Sequence, residues 1–564
     1  MMRLWIVAIA LFLLLLAAAA LYWFAPWGRR DEAWFIDVTD EAGIDFVHEA
    51  GDLSRFLTTQ QNGSGVALFD FDGDGLLDIY LLTHSGPNSS HTNRLYKNLG
   101  KGVFKDVTEG SGLGINGYNT GVAIGDVNND GWPDVAVTQY GGVRLFLNKG
   151  DGTFTDITEA AGLDNPQWGT SASFFDYDKD GWLDLVVVNY VKYDEDLVCE
   201  GPDKKREYCG PHRFPGTVTR LFRNLTGQNG GSVRFQDVTV RSGLAKYPGP
   251  GLGVYTADFN GDGRPDIFVA NDEKPNHLWI NNGDGTFAEE ASLHGVAVDG
   301  TGRVQAGMGV AVGDVEGTGR FAIYVTHLGN ENHTLWTQHT KQGQFVDRTA
   351  AAGLLRLVWR GTGFGTLMRD FDHDGWLDIA VVNGAVFAHS KTPNPALGPH
   401  MGNYSERNQL FRNEGEGKFK DISGRNHPFC GIPNVARGLA SGDLDGDGAV
   451  DLVVTTVAGR ARVYRNVAQP RGHWLLVRAL DPRLKRDAYG AEITLDAGGR
   501  SQIRIVNPTE SYQSSSDPRV HFGLGTAAHY DAVHVRWPDG LVEDFPGGPA
   551  DRIIEVRRGE GKNK

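Results

Sequence analysis

The stretch FDFDGDGLLDIYLL, Phe69 to Leu82, sets four aspartates within nine residues directly against an apolar run. The arrangement returns six more times: DVNNDGWPD from Asp126, DYDKDGWLD from Asp176, DFNGDGRPD from Asp258, DVEGTGRFA from Asp314, DFDHDGWLD from Asp370 and DLDGDGAVD from Asp443. Successive starts differ by 56, 50, 82, 56, 56 and 73 residues, which is a base period of 50–56 with two insertions. The first insertion includes Cys199 and Cys209; the second lies around Phe387 to Glu406.

Each loop opens a short run such as DIYLL, DVAVT, DLVVV or DIFVA, whose β-branched content and length mark a strand buried on both faces. A second signature follows: an L-aromatic-x-N strand end, a Gly-rich turn, then F-x-D-[VI]-[ST], as in LYKNLGKGVFKDVT from Leu95 and LFLNKGDGTFTDIT from Leu145. The turns read as β-hairpins. Each unit therefore holds about four strands, and seven such units predict an all-β chain built as a seven-bladed β-propeller. One copy of the hairpin element, FIDVT at Phe35, precedes the first loop, and the seventh unit ends at Asn466 without one. The N-terminal strand is thus expected to complete the last blade and remove an open sheet edge. The domain reading is 1–30 as signal anchor or signal peptide, 31–469 as the propeller, 470–558 as a small antiparallel β domain, and 559–564 as a disordered tail.

Within a loop, side-chain oxygens fall at positions 1, 3, 5 and 9, and the position-7 backbone carbonyl can add another. A hard divalent cation wants six or more oxygens, which a tight loop can aim at one centre. The candidate ligands are Asp70, Asp72, Asp74, Leu76 and Asp78; Asp126, Asn128, Asp130, Trp132 and Asp134; and Asp176, Asp178, Asp180, Trp182 and Asp184. They continue as Asp258, Asn260, Asp262, Arg264 and Asp266; Asp370, Asp372, Asp374, Trp376 and Asp378; and Asp443, Asp445, Asp447, Ala449 and Asp451. Glycine at position 6 of every loop allows the sharp turn. The pattern matches the first half of an EF-hand loop, but position 12 holds Leu81, Val137 or Val187 instead of Glu, and strands follow. No soft ligand is present, so calcium is the first choice and magnesium the second. Six Ca2+ would bring the formal charge from −16 to about −4. The Asp314 loop has Thr318 and Ala322 at positions 5 and 9 and is expected to be metal-free or weak. The bland alternative is a set of solvated Asp/Gly turns.

These loops resemble FG-GAP/VCBS repeats, the calcium-binding blades also found in integrin α propellers. RDAYGAEITL, ESYQSSS, HFGLGTA and VRWPDG resemble the ASPIC/UnbV domain, and the whole is similar to the cartilage acidic protein family and its bacterial relatives. The resemblance implies an extracytoplasmic, calcium-stabilised propeller with adhesion- or matrix-type roles and no settled catalytic activity.

The remaining signals bound the function. A net charge of −16 without a basic stripe argues against nucleic acid. Leu4 to Trp27 carries no charge and is long enough to span a bilayer, with a cleaved signal peptide as the rival reading. Either way the rest lies outside the cytoplasm. Cys199 and Cys209 can close a short loop or stand as free thiols, and Cys430 has no evident partner. Trp132, Trp182 and Trp376 offer an aromatic platform or cover their own blade edges. His277, His327 and His333 read as transition-metal ligands or catalytic groups, or as structural histidines, the favoured reading. Asn-x-Ser/Thr occurs at Asn62, Asn88, Asn224, Asn332 and Asn403. The expected function is non-enzymatic binding of a protein or glycan, with the insertions as carriers of specificity. The alternatives are a polysaccharide hydrolase or lyase working in the central funnel, and a structural subunit of a surface complex.

Overall fold

The computed structural model describes residues 33–228, 230–338, 342–388 and 391–563. The Leu4–Trp27 stretch, with its anchor-or-leader reading, lies outside them. Among the described residues no helix is long and apolar enough to cross a membrane.

Each repeat folds as four antiparallel strands in sequence order. In the first these are Val66–Phe69, Asp78–Leu81, Arg94–Asn98 and Phe104–Asp106. The acidic loop joins strand one to strand two, and the apolar run after it is buried throughout, as its lack of alternation requires. Six more sheets open with Asn119–Gly125, Gly169–Phe175, Gly251–Ala257, Val310–Gly313, Gly363–Arg369 and Ala436–Gly442. The last takes its fourth strand from the other end of the chain: Phe35–Asp37 pairs with Arg462–Asn466, Phe35 opposite Asn466. The first strands neighbour one another in chain order, and Ala436–Gly442 packs back against Val66–Phe69. Hydroxyls stitch these joints: Thr120 Oγ1 donates to the Gly169 carbonyl at 2.6 Å, Thr170 Oγ1 to Gly251 at 2.9 Å, and Thr455 Oγ1 to Ser64 at 2.5 Å.

Beyond the repeats, two sheets share one apolar core with parts of the second and third repeats. The region is not purely antiparallel, contrary to its alternating pattern, because His473–Asp481 pairs in parallel with Arg552–Arg557. Parallel partners need a long crossover, and the intervening chain supplies it. The closing residues are not a loose tail either. Lys562–Asn563 pairs with Val542–Pro549, and the Gly559 N–H donates to both oxygens of the buried Glu543 carboxylate.

One excursion of this region, Asn507 to Asp517, runs down the axis of the ring and bonds to all seven first strands. Ser515 pairs with Ala67, the Val122 N–H donates to the Gln513 carbonyl, and the Gln513 N–H to Ser171 Oγ. Asn507 donates to the Thr256 carbonyl, Ser511 exchanges two backbone bonds with Val310, and Thr366 N–H reaches Ser511 Oγ. The Asp517 N–H ends the series on the Ser441 carbonyl. The ESYQSSS run is polar because it must meet seven inner edges inside the ring.

Candidate metal centres

The loop backbone is built first by the position-1 aspartate. Asp70 accepts the N–H groups of Asp74 at 3.1 Å and Gly75 at 2.9 Å, and five other loops repeat the pair, while Asp443 accepts those of Gly446 and Gly448. The bonds require positive φ at position 6, where φ runs from 73° at Gly319 to 103° at Gly131. Position 4 is also left-handed in all seven loops, even where Asn129, Lys179 and His373 replace glycine. Position 5 then accepts the N–H of position 7 at 2.8–3.0 Å in the six intact loops.

Position 9 does a different job. One oxygen of Asp78 accepts the Phe71 N–H and the other the Asn98 N–H, and Asp134, Asp184, Asp266, Asp378 and Asp451 do the same at 2.7–3.1 Å. The asparagine that ends the L-aromatic-x-N signature is therefore a working part of the site. Its side chain crosses to the preceding sheet: Asn98 donates to the Leu444 carbonyl, Asn148 to Phe71, Asn224 to Val127, Asn281 to Tyr177, Asn413 to Val315 and Asn466 to Phe371, at 2.8–3.0 Å. Each clasp ties one sheet's third strand to its neighbour's acidic loop. Two of the glycosylation-type motifs, at Asn62 and Asn224, fall on buried residues.

Four loops gather three carboxylates whose oxygens lie within 4.8 Å of one another: Asp70, Asp72 and Asp78; Asp176, Asp178 and Asp184; Asp370, Asp372 and Asp374; and Asp443, Asp445 and Asp451. Burial lifts the Asp78 carboxyl to about 8 and those of Asp176, Asp372 and Asp443 to about 6. In three of these loops a position-3 oxygen, Asp72 Oδ1, Asp178 Oδ1 or Asp372 Oδ1, is buried without a hydrogen-bond partner. An orphaned buried carboxylate oxygen is costly, and a cation at the cluster centre would satisfy it. The donor set, all hard oxygen, fits a divalent ion such as Ca2+.

The Asp126 and Asp258 loops are arranged differently. Asn128 and Asn260 stand at position 3, and their amides donate to Asp130 and Asp262 at 2.8 Å. This difference is matched on the third strand. Loops with Asp at position 3 face a basic residue: Lys97 pairs with Asp72, Arg223 with Asp178 at 2.6 Å, Arg412 with Asp372 at 2.8 Å and Arg465 with Asp445 at 2.9 Å. Loops with Asn there have Leu147 and Ile280 at the equivalent strand position. The extra charge and its counter-charge come and go together, so the crowding of carboxylates is milder than the loop sequences alone imply.

The C-terminal region sits on these loops. Buried Arg486 donates to Asn129 Oδ1 at 2.9 Å and to the Gly181 carbonyl at 3.2 Å. Arg500 bonds the Asp374 and Gly375 carbonyls at 3.0 Å, with its guanidinium 3.9 Å above the Trp376 ring. The tryptophans do not form a common platform. Trp132 lies against Gly73 and Gly150, Trp182 against Gly227, and Trp376 against Gly317 and Gly415. His277, His327 and His333 are pushed down to about 4, 3 and 4 by burial, and His333 Nδ1 accepts the His327 N–H at 2.9 Å. Among the described residues they join no three-ligand group. Cys199 and Cys209 form a disulfide, with Cα atoms 5.3 Å apart, and Cys430 is free and buried.

Comparison with known families agrees with this construction. Residues 70–137, 126–187, 258–325 and 400–474 match the FG-GAP-like repeat, and 481–563 match the ASPIC and UnbV family. The chain is an all-β FG-GAP-repeat protein with a C-terminal ASPIC/UnbV region. It is homologous to cartilage acidic protein 1: the human protein is 27% identical over 358 residues, covering 61% of this chain and 49% of the relative. The Xenopus tropicalis protein is 26% identical over 360 residues, covering 62% and 51%. The chain thus spans about half the length of the curated relatives it matches. Likeness to solved structures is slight. A structure of an Agrocybe aegerita lectin recognising non-reducing terminal N-acetylglucosamine aligns at TM-score 0.36 and 16% identity, covering 69% of this chain and 88% of that one. BBS1N in complex with ARL6DN aligns at 0.41 and 8%, covering 78% and 99%.

Proposed function

We propose that the chain is a seven-bladed, calcium-stabilised β-propeller that works outside the cytoplasm as a non-enzymatic binding protein. The observation that carries the binding reading is how the ring's surfaces are used. The acidic-loop face carries the C-terminal region, and the axis is filled by residues 507–517. The opposite face carries both insertions, because each leaves its sheet between strands two and three. There the insertions interlock: Glu207 accepts the Tyr404 hydroxyl at 2.6 Å and the Ala388 N–H at 2.9 Å. A rigid ring with built-up loops on its one free face suits recognition of a protein or glycan. The orphaned Asp72, Asp178 and Asp372 oxygens support calcium in the loops. The Cys199–Cys209 bridge supports an oxidising compartment, reached through Leu4–Trp27 as leader or anchor. A polymer-degrading site in the funnel is disfavoured, since the chain's own segment occupies the axis.

The test is a glycan and protein interaction screen with the calcium-loaded ectodomain. Binding lost on grafting a short turn in place of residues 387–406 supports the reading; binding that survives both this and loss of the 199–209 hairpin contradicts it.

A further inference from the structure

The insertion-bearing face holds a cavity of about 40 Å3, one of whose lining residues, Asn62, accepts the hydroxyl of Tyr512 from the axial segment on its carbonyl at 3.2 Å. Its walls include Tyr190, Tyr208, Phe364 and Phe387. Two carboxylates, Asp272 and Glu273, stand beside the uncharged polar Thr58, Gln61 and Asn62. Asp272 is the unusual one. Its Oδ2 accepts the Tyr190 hydroxyl at 2.6 Å, and no basic side chain among the described residues pairs with it. Burial, with Glu273 and Glu331 adding like charge, raises its carboxyl to about 7. Asn62 also lines the cavity and is only 7% exposed, but its unpartnered Nδ2 is a donor and takes no part in holding a cation. The nearby buried Arg437 donates from Nε and Nη1 to the carbonyls of Gln61, Gly384 and Ala436 and stacks 3.8 Å over Phe364, with its Nη2 left without a partner.

We propose that this cavity receives an alkylammonium group, the tip of a lysine side chain presented by a protein partner. The inference deepens the binding reading above and rests on it. Size selects the ligand: the space holds roughly three water-sized centres, enough for a –CH2–NH3+ end and too little for a sugar ring. Hydrogen bonding selects it further. With Oδ2 taken by Tyr190, Asp272 offers one free oxygen, which suits a point-charge ammonium better than a forked guanidinium. Glu273 in the wall adds a second negative charge, and the Tyr190, Tyr208 and Phe387 rings give the methylene stem and its charge an aromatic wall. A hydrated divalent ion is poorly served, since it would need about six oxygens.

Isothermal titration of the full, calcium-loaded chain with N-acetyl-lysine methylamide tests this, against the side-chain-acetylated analogue and 1,5-diaminopentane. The lysine probe is expected to bind at least about tenfold more tightly than its neutral analogue. The diamine arm separates a peptide lysine from a free polyamine: tighter binding of the diamine overturns the protein-partner assignment. Asp272→Asn, which keeps an acceptor for Tyr190, should lose that preference, and Phe387→Ala on the exposed rim should weaken binding several-fold without touching the fold. Equal binding of neutral and charged probes, or no heat with the lysine probe at roughly 10 mM, overturns the proposal. If the probe fails while the interaction screen still finds partners unaffected by Asp272→Asn, the cavity assignment falls and the binding reading stands.

Discussion

The fifth and sixth acidic loops are neighbours with nearly the same backbone and different chemistry. In both, the position-1 aspartate accepts the N–H groups of positions 5 and 6: Asp314 from Thr318 and Gly319, Asp370 from Asp374 and Gly375. In both, positions 4 and 6 are left-handed. The sixth loop adds Asp378, whose oxygens hold Phe371 and Asn413, and Asn413 reaches across to the Val315 carbonyl. The fifth has Ala322 there, and Gln338 replaces the asparagine. The Gln338 amide turns inward to the Phe321 carbonyl at 3.3 Å and to the Gly343 N–H at 2.9 Å. Among the described residues, no clasp from the fifth sheet reaches the fourth loop. One aspartate and two left-handed residues are thus enough to make the turn. The carboxylates at positions 5 and 9 tie turn to strand and sheet to sheet, and in the fifth loop those two are lost together while Glu316 stays at position 3.

The comparison breaks most sharply at position 9. Asp378→Ala gives the sixth loop what the fifth already has, but strands two buried N–H groups shaped around the carboxylate. Urea unfolding should show a loss of about 3–5 kcal/mol, whereas Ala322→Gly in the fifth loop should cost only about 1 kcal/mol.

Acid should find the fifth sheet next. His327 and His333 flank its strands and are held near 3 and 4 by burial, below the ordinary 6.5. The folded state therefore binds fewer protons than the unfolded one. Stability is intact above pH 6.5, falls as the pH drops below it, and levels only near the folded values. At pH 5 each histidine should cost about 2 kcal/mol. Hydrogen exchange along Ala322–Val325 should accelerate before that along Asp378–Asn383; simultaneous opening would refute the weak-joint reading.

Asn413→Ala removes a clasp and should cost about 2–3 kcal/mol, against about 1 kcal/mol for Gln338→Ala, by thermal or urea melts. The smallest effect sharpens the comparison from the other side. Ala322→Asp alone buries a carboxylate and should destabilise by about 1–2 kcal/mol without added metal. Combined with Thr318→Asp and Gln338→Asn it should regain that loss in calcium and add one bound ion.

Much of this architecture was legible in the chain. The acidic register, the two-sided apolar runs and the misplaced FIDVT copy led to an all-β chain of four-stranded repeats and to the pairing of Phe35–Asp37 with Arg462–Asn466. The Asn of L-aromatic-x-N was visible as a pattern, but its meaning depends on partners as distant as Leu444 from Asn98. The matching of Lys97, Arg223, Arg412 and Arg465 to aspartates at position 3 was present as a correlation between two columns of the repeat, readable once strand three is known to face the loop. The axial course of ESYQSSS and the parallel pairing of His473–Asp481 had no local signal, because both are set by long-range docking. The cavity at Asp272 is assembled from nine separate stretches of the chain and could not be seen from any one of them.

The central claim is that hard ions complete the six intact loops and the fifth does without. Elemental analysis of the purified chain, paired with melting before and after EGTA, addresses it directly. The account predicts about six calcium ions per chain and a melting point lowered by more than about 10 °C on chelation. A chain free of calcium, with a melt indifferent to EGTA, would contradict it.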